Sequence, residues 1–294
     1  MTLALQYAID ALNVGGLYAL MALGIGLIFG IMRLINFAHG EIVMAGAYAM
    51  WLVVEMPAPV VIVFSIAVVA LISLGIERAA FRPLREASPS TLLIAAFAVS
   101  YFLQNLAVMV FGARPKPFTF ADMLAGNFEI GGFRIAVLQL VTLALVALAL
   151  AGLTLLLKRT SIGVQLRAAS QDFRAARLCA VRANRVIAFA FVLSGVLGWI
   201  VSFVYSAQLA QLTPAMGVRP VVIGFVATIL GGLGSLAGAV IGGFVVGVLT
   251  VLLDVVLPVE LRVFKEAFLF GLVLVLLLVR PQGIIAVAAL KERV

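Results

Sequence analysis

The stretch KRTSIGVQLRAASQDFRAARLCAVRANR, residues 158–185, decides the fold class, because it is a polar island in an otherwise lipid-like chain. Lys158, Arg159, Arg167, Arg174, Arg177, Arg182 and Arg185 stand against one acid, Asp172, so these 28 residues hold six of the eight net positive charges. Basic clustering between apolar runs marks a large cytoplasmic loop between membrane spans. Within it Leu166, Ala169, Phe173, Ala176 and Ala180 recur at helical spacing, while Arg167, Arg174 and Arg177 fall on another face. The pattern predicts a short amphipathic helix whose apolar stripe docks in a protein groove.

Outside the island the composition excludes a soluble globular domain. Of 294 residues, 65% are hydrophobic and 11% charged, with mean hydropathy +1.27, whereas soluble domains carry about 25% charged residues. At roughly 20 apolar residues per crossing the chain reads as an all-α polytopic membrane protein with about eight transmembrane helices, a single transmembrane domain over 1–294. The spans fall near 5–31, 42–54, 59–76, 90–112, 135–157, 186–206, a broken region 221–253, and 264–280. The first apolar run has no Lys or Arg ahead of it and no small-residue cleavage site, so it reads as a span and not a removed signal peptide. Arg78, Arg82 and Arg85, then Arg280, Lys291 and Arg293, join the 158–185 loop on the cytoplasmic side, with the C-terminus. The N-terminus and residues 113–134 then fall outside.

Two spans are irregular. Residues 42–54 are too short to cross at 1.5 Å per residue unless they borrow from 36–41. Residues 221–253 are too many for one helix and too few for two, and are interrupted by Gly231, Gly232, Gly234 and Ser235. Discontinuous helices belong where backbone lines a cavity or is buried in protein. Gly234, Gly238 and Gly242, and Gly243 and Gly247, repeat every fourth residue and predict a smooth strip that packs against another helix in the same chain, lines a pore, or meets another subunit.

The chemistry present is sparse. No Walker-type loop and no G-x-G-x-x-G on a strand–helix turn occurs, so no nucleotide site and no enzymatic activity is expected. One histidine, His39, and one unpaired cysteine, Cys179, exclude His- or Cys-based metal centres and internal disulfides; no cofactor is expected. Cys179 reads as a small, half-buried residue. The basic residues cluster at span ends, which fits membrane topology and anionic lipid better than nucleic acid. Acids also sit near span ends, apart from Glu41, so the chain lacks the buried relay of an ion-coupled carrier and needs an external energy source. The segment NFAHGE, residues 36–41, leads into the short second span. His39 and Glu41 there either cap a helix, bonding each other or backbone, or take part in gating and permeation, with Asn36 beside them.

At these residues the chain resembles the inner-membrane permease subunits of bacterial ABC importers for branched-chain amino acids. The resemblance is carried by YALMALG at 18–24, NFAHGE at 36–41, GVQLRA at 163–168 with Asp172, Ala175, Ala176 and Leu178, GGLGS at 231–235 with Gly238, Ala239, Gly242 and Gly243, and RPQGI at 280–284. Together these span nearly the whole chain. The resemblance implies a coupling helix in the 158–185 loop, seated in a groove of an ATP-binding subunit through Gly163, Arg167, Ala168, Asp172, Phe173 and Ala176. It implies translocation or gating roles for Asn36, His39, Glu41, Gly231, Gly232 and Gly234. It also implies a second homologous permease subunit, two cytoplasmic ATP-binding subunits and a periplasmic substrate-binding protein. Cys179-Ala180 stands where the family often has Gly, and the long N-terminal extension of the other permease type is missing, so the chain resembles the shorter of the paired subunits. Relatives for urea, short amides or other amino acids share the pattern. The rival classes are an autonomous secondary carrier and a non-transporting scaffold on anionic lipid.

Overall fold

The computed structural model describes residues 2–85, 87–118, 126–130, 133–171, 173–179 and 181–285. Among the described residues six helices are long and apolar enough to cross a membrane, and the chain is a multi-pass membrane protein. In chain order the helices are α1 (Thr2–Met32), α2 (His39–Leu52), α3 (Ala58–Ile76, continued by a π turn Glu77–Phe81), α4 (Pro89–Phe111), α5 (Val137–Arg159), α6 (Ser161–Gln171), α7 (Phe173–Leu178), α8 (Ala183–Leu209), α9 (Val218–Gly231), α10 (Leu236–Val256) and α11 (Lys265–Val279, after a 3-10 turn Val259–Phe264). Four short strands occur among the described residues: β1 (Lys116–Pro117) pairs antiparallel with β4 (Gln211–Leu212), and β2 (Asn127–Ile130) with β3 (Phe133–Ala136).

The expected eight spans resolve differently. The region 221–253 contains a short helix, α9, and a full one, α10, while α2, α9 and α11 have only 14, 14 and 15 residues. At 1.5 Å per residue α2 and α9 reach about 21 Å, short of the roughly 30 Å hydrocarbon layer.

Helix ends follow local chemistry. Ser88 caps α4 by accepting the Thr91 N–H at 3.2 Å, with Pro89 in the first turn. Ser235 caps α10 by accepting the Gly238 N–H at 2.9 Å. α1 stops at Arg33, whose φ of 55° is left-handed. Between α9 and α10 the chain reverses through Gly232 (φ 110°) and Gly234 (φ 91°), conformations that a Cβ disfavours. Gly234 therefore belongs to the break and not to the α10 strip, contrary to its four-residue spacing with Gly238 and Gly242.

The basic residues gather at one end of the bundle. There Arg85 pairs with buried Glu77 and bonds Asn184 at the start of α8, and Gly234 lies beside Arg33. The short strands and the 3-10 turn mark the far end. α1 runs toward the basic end and α8 away from it. α2 starts level with Gly24, where His39 packs, and ends at Trp51 beside Phe111 and Lys116 of the far end. α9 starts beside Gly40 and ends against Gln282 and Ile285. Long helix plus returning half-helix thus occurs twice with opposite direction, α1–α2 and α8–α9, and each half-helix packs on the next helix, α3 or α10. This is an inverted-topology repeat.

In the most apolar 18-residue windows, 83% of α1 and 72% of α8 is buried, against 11% of α4, so the long helices of the two repeats form the core. Glycine makes that possible. A Cβ on Gly243 or Gly247 would overlap the backbone of Ala19 or Gly15 of α1, and one on Gly242 would overlap the Ala227 carbonyl of α9. The strip is therefore internal helix packing on two sides of α10.

Gly243→Leu and Gly247→Leu are expected to lower stability by about 3 kcal/mol through forced separation of α1 and α10. Gly152→Ala and Gly271→Ala, with nothing within 4 Å of the added carbon, should leave the thermal unfolding midpoint of the purified chain unchanged. Equal midpoints for both pairs would contradict this packing.

Candidate translocation and coupling sites

The segment 36–41 turns the chain back into the bundle. Its backbone closes a tight turn, with the N–H groups of His39, Gly40 and Glu41 bonded to the carbonyls of Asn36, Phe37 and Ala38 at 3.2, 3.2 and 3.1 Å. A Cβ on Gly40 would lie 2.6 Å from the Gly217 carbonyl oxygen, so the first turns of α2 and α9 touch through backbone. Both half-helices begin at this contact, and the positive ends of their dipoles face it.

His39 and Glu41 do not cap α2 and do not bond each other. Each ties α2 to a different helix. His39 is fully buried, its Nδ1 3.1 Å from Ser194 Oγ of α8, and that hydroxyl donates to the Gly24 carbonyl of α1 at 2.9 Å. Since the single hydroxyl proton is used on Gly24, Nδ1 must be the protonated nitrogen, which leaves Nε2 as an acceptor without a partner. Gly24 is required beside it, because a Cβ there would overlap the imidazole. Glu41 Oε1 accepts from Ser100 Oγ and Gln104 Nε2 of α4, each at 2.8 Å, while Oε2 has no partner. Asn36 is buried with both amide atoms unpaired. Buried polar atoms left open in this number are uncommon in a finished core, and here they cluster where two helices end inside the bundle. Phe37 stacks on Phe97 of α4 at 4.3 Å and tilts against Phe225 of α9 at 5.5 Å, joining the two repeats.

Sequence reading missed Ser100, Gly217 and the Phe97–Phe37–Phe225 contact. Gly217 sits beside β4 and α9 with no repeat spacing, and its partner is 177 positions away in sequence. Only the inverted repeat would have flagged it, as the counterpart of Gly40.

Gly231, Gly232 and Gly234 lie at the basic end, not with the 36–41 turn. A Cβ on Gly232 would overlap the Ile285 carbonyl, and Ile284 and Ile285 donate their N–H groups to the carbonyls of Leu230 and Gly231 at 2.8 and 3.0 Å. The RPQGI segment thereby seals the open end of α9.

The loop helix divides into α6 and α7. Leu166, Ala169 and Ala176 are buried in the chain's own bundle, where α6 packs on α1, α5 and α8. This part of the apolar stripe thus docks inside this chain, correcting the expectation that it fills a partner's groove, while Ala180 lies outside the described residues; the outward surface carries Val164, Arg167, Gln171 and Leu178. A Cβ on Gly163 would overlap the Leu156 carbonyl, so glycine sets the sharp α5–α6 junction. Ala168 is half-buried. Phe173 opens α7, and Asp172 lies outside the described residues. Cys179 is exposed, not half-buried. Arg167 and Ser170 line a small hollow with Gly30 of α1 and Gly234 of the α9–α10 break, and Ser170 lies beside Gly30.

A family described as branched-chain amino acid transport system, permease component, matches residues 7–279. The chain belongs to this family. It is 32% identical to the high-affinity branched-chain amino acid transport system permease protein BraD of Pseudomonas aeruginosa, over 96% of this chain and 95% of that protein. It is 30% identical to LivH of Escherichia coli K12, a permease protein of the same description, again over 96% and 95%. A probable branched-chain amino acid transport permease protein LivH from Methanocaldococcus jannaschii is 28% identical over 79% of this chain and 75% of its own length. No solved structure matches the chain significantly. These relatives are transport permease proteins, and the similarity of BraD and LivH of Escherichia coli extends across both repeats of this chain.

Glu41→Ala strands the Ser100 and Gln104 donors and should cost about 1–3 kcal/mol, whereas Glu41→Gln retains an accepting oxygen. His39→Ala and Glu41→Ala are expected to abolish uptake while the protein still inserts and elutes as one species. Failure to insert would assign both residues a purely structural role.

Proposed function

We propose that this chain is the permease subunit of an ABC importer that moves branched-chain amino acids into the cytoplasm of a bacterium across its inner membrane. It acts as one permease domain without a nucleotide site of its own, beside a second homologous permease subunit. Two cytoplasmic ATP-binding subunits drive it and a periplasmic binding protein delivers the substrate. The basic end, with the C-terminus, faces the cytoplasm, as the excess of Lys and Arg there requires.

The observation that carries this reading is the seat of α6. Its apolar side is locked onto α1, α5 and α8, and its exposed side presents Val164 and Arg167. A helix glued to the bundle on one side and bare on the other transmits displacement, because packed interfaces move as rigid units. A push on α6 reaches α1, where Gly30 lies beside Ser170, and α8, and through these two helices the half-helices α9 and α2 that pack on them. The residues implicated in coupling are Gly163, Arg167, Ala168 and Ala176, with Asp172 and Phe173 next to them. The path itself runs by the 36–41 turn, where Asn36, His39 and Glu41 supply polar atoms without net mobile charge, and the Gly231–Gly232–Gly234 break lets α9 shift. Such a lining suits a zwitterion with an aliphatic side chain, since it neither traps the substrate nor demands ion coupling.

The test is uptake of labelled leucine into vesicles holding this chain with its partner permease, ATPases and binding protein, each omitted in turn. ATP-dependent uptake lost on any omission supports the reading; uptake by this chain alone moves it to a secondary carrier. Arg167→Glu is expected to weaken ATPase association by about tenfold or more, as for loss of a charged interfacial contact, with insertion intact. Unchanged association and uptake would remove α6 from the coupling route.

A further inference from the structure

A polar hollow lies at the far end, away from α6. It has a volume of about 580 Å³ and is lined by residues of α1, β3, α5, α8, α10 and the 3-10 turn, within the range of about 300–1,000 Å³ typical of small-ligand sites. Three charged groups line it: Asp10, Asp254 and Arg262. Both oxygens of Asp254 are taken by Lys265 Nζ, at 2.8 and 2.9 Å. Asp10 and Arg262 share the hollow but form no ion pair with each other. Asp10 Oδ1 accepts from Gln139 Nε2 at 2.8 Å and from Gln6 Nε2 at 3.4 Å, which anchors the carboxylate to α5. Arg262 gives Nε to the Leu257 carbonyl at 3.4 Å and has no ion-pair partner among the described residues. Opposite charges held in one hollow without joining leave two poles for a ligand carrying both signs. Asn13, also in the lining, is 4% exposed, and its Oδ1 has no partner. The rest of the wall includes Val14, Leu138, Val251 and Val255.

We propose that this hollow is a receiving site for a free zwitterionic aliphatic amino acid, with Asp10 taking its ammonium group, Arg262 its carboxylate, and Val14, Leu138, Val251 and Val255 its side chain. The assignment rests on the permease reading and deepens it. A substrate released at the far end needs a place to wait before the bundle opens, and a carboxylate, a guanidinium and an aliphatic wall match the three parts of leucine. Arg suits the carboxylate end because its planar fork binds a carboxylate through two parallel N–H donors.

The experiment measures equilibrium binding of labelled L-leucine to the purified full-length chain in detergent, and ATP-driven leucine uptake by the assembled transporter. Asp10→Asn and Arg262→Gln are each expected to weaken leucine binding about tenfold or more, the loss of one charge-assisted contact. Asp254→Asn should have little effect. Leucinamide, which lacks the carboxylate, should lose sensitivity to Arg262→Gln while keeping sensitivity to Asp10→Asn. Equal leucine affinity in the wild type and both variants overturns the site, as does a wild type that binds no leucine at millimolar concentration. A zwitterionic phospholipid retained by the wild type in native mass spectrometry and shed by Asp10→Asn, without leucine binding, assigns the hollow to a lipid headgroup and also overturns it. If wild-type uptake is ATP-driven but unchanged in both variants, the site fails and the permease reading stands. If the wild-type assembly shows no ATP-driven uptake, the permease reading fails first.

Discussion

Gly40 and Gly217 put two peptide backbones in contact inside an apolar bundle, and the rest of the architecture follows from that contact. A helix that stops partway through a membrane leaves its first N–H groups without intrahelical partners, and lipid offers nothing to satisfy them. Half-helices therefore survive only when protein surrounds their ends. Here each half-helix start covers the other, α1 packs along α9 and α8 along α2, and side chains larger than hydrogen at the contact would pry the ends apart. The burial pattern records the consequence, because α1 and α8 are mostly enclosed while α4 is largely open.

Around that contact the polar side chains do a different job from caps. His39 reaches through Ser194 to the carbonyl of Gly24, and Glu41 reaches to Ser100 and Gln104. The half-helix α2 is thus tied by hydrogen bonds to α8 and to α4, and only through Ser194 to α1; α4 is otherwise loosely held. Hydrogen bonds of this kind are worth about 1 kcal/mol each within a membrane, enough to bias a position and too little to lock it. The Phe37 stack between Phe97 and Phe225 adds a contact that also depends on how α4 and α9 sit. At the basic end α6 rests on α1, α5 and α8, and α1 and α8 in turn pack on α9 and α2, the half-helices that meet at the centre.

The two ends differ in charge character. The basic end carries exposed cations on a helical shelf, suited to meeting a protein or an anionic lipid surface. The far end carries both signs, partly neutralised by the Arg219–Glu266 and Lys265–Asp254 pairs and partly held apart around the Asp10 and Arg262 hollow. Mixed charge at that end attracts no one sign of ligand, in keeping with a neutral zwitterion.

Composition alone fixed the membrane class, and the shortage of apolar residues in 42–54 and the glycines of 231–235 identified both half-helices, since helix rise and hydrocarbon thickness are fixed lengths. The basic loop and its helical spacing were equally legible. Periodicity, however, says that a face is buried and not what buries it, so Leu166, Ala169 and Ala176 of the stripe were assigned to a partner when this chain itself buries them. Four-residue spacing likewise carried Gly234 into a strip that begins only after the turn it makes. The pairings His39 with Ser194, Glu41 with Ser100 and Gln104, and Gly40 with Gly217 join residues 59 to 177 positions apart. Local sequence determines which segments are apolar, broken or basic; which of them touch is decided by packing helices until every buried backbone end is covered, and that condition exists only in three dimensions.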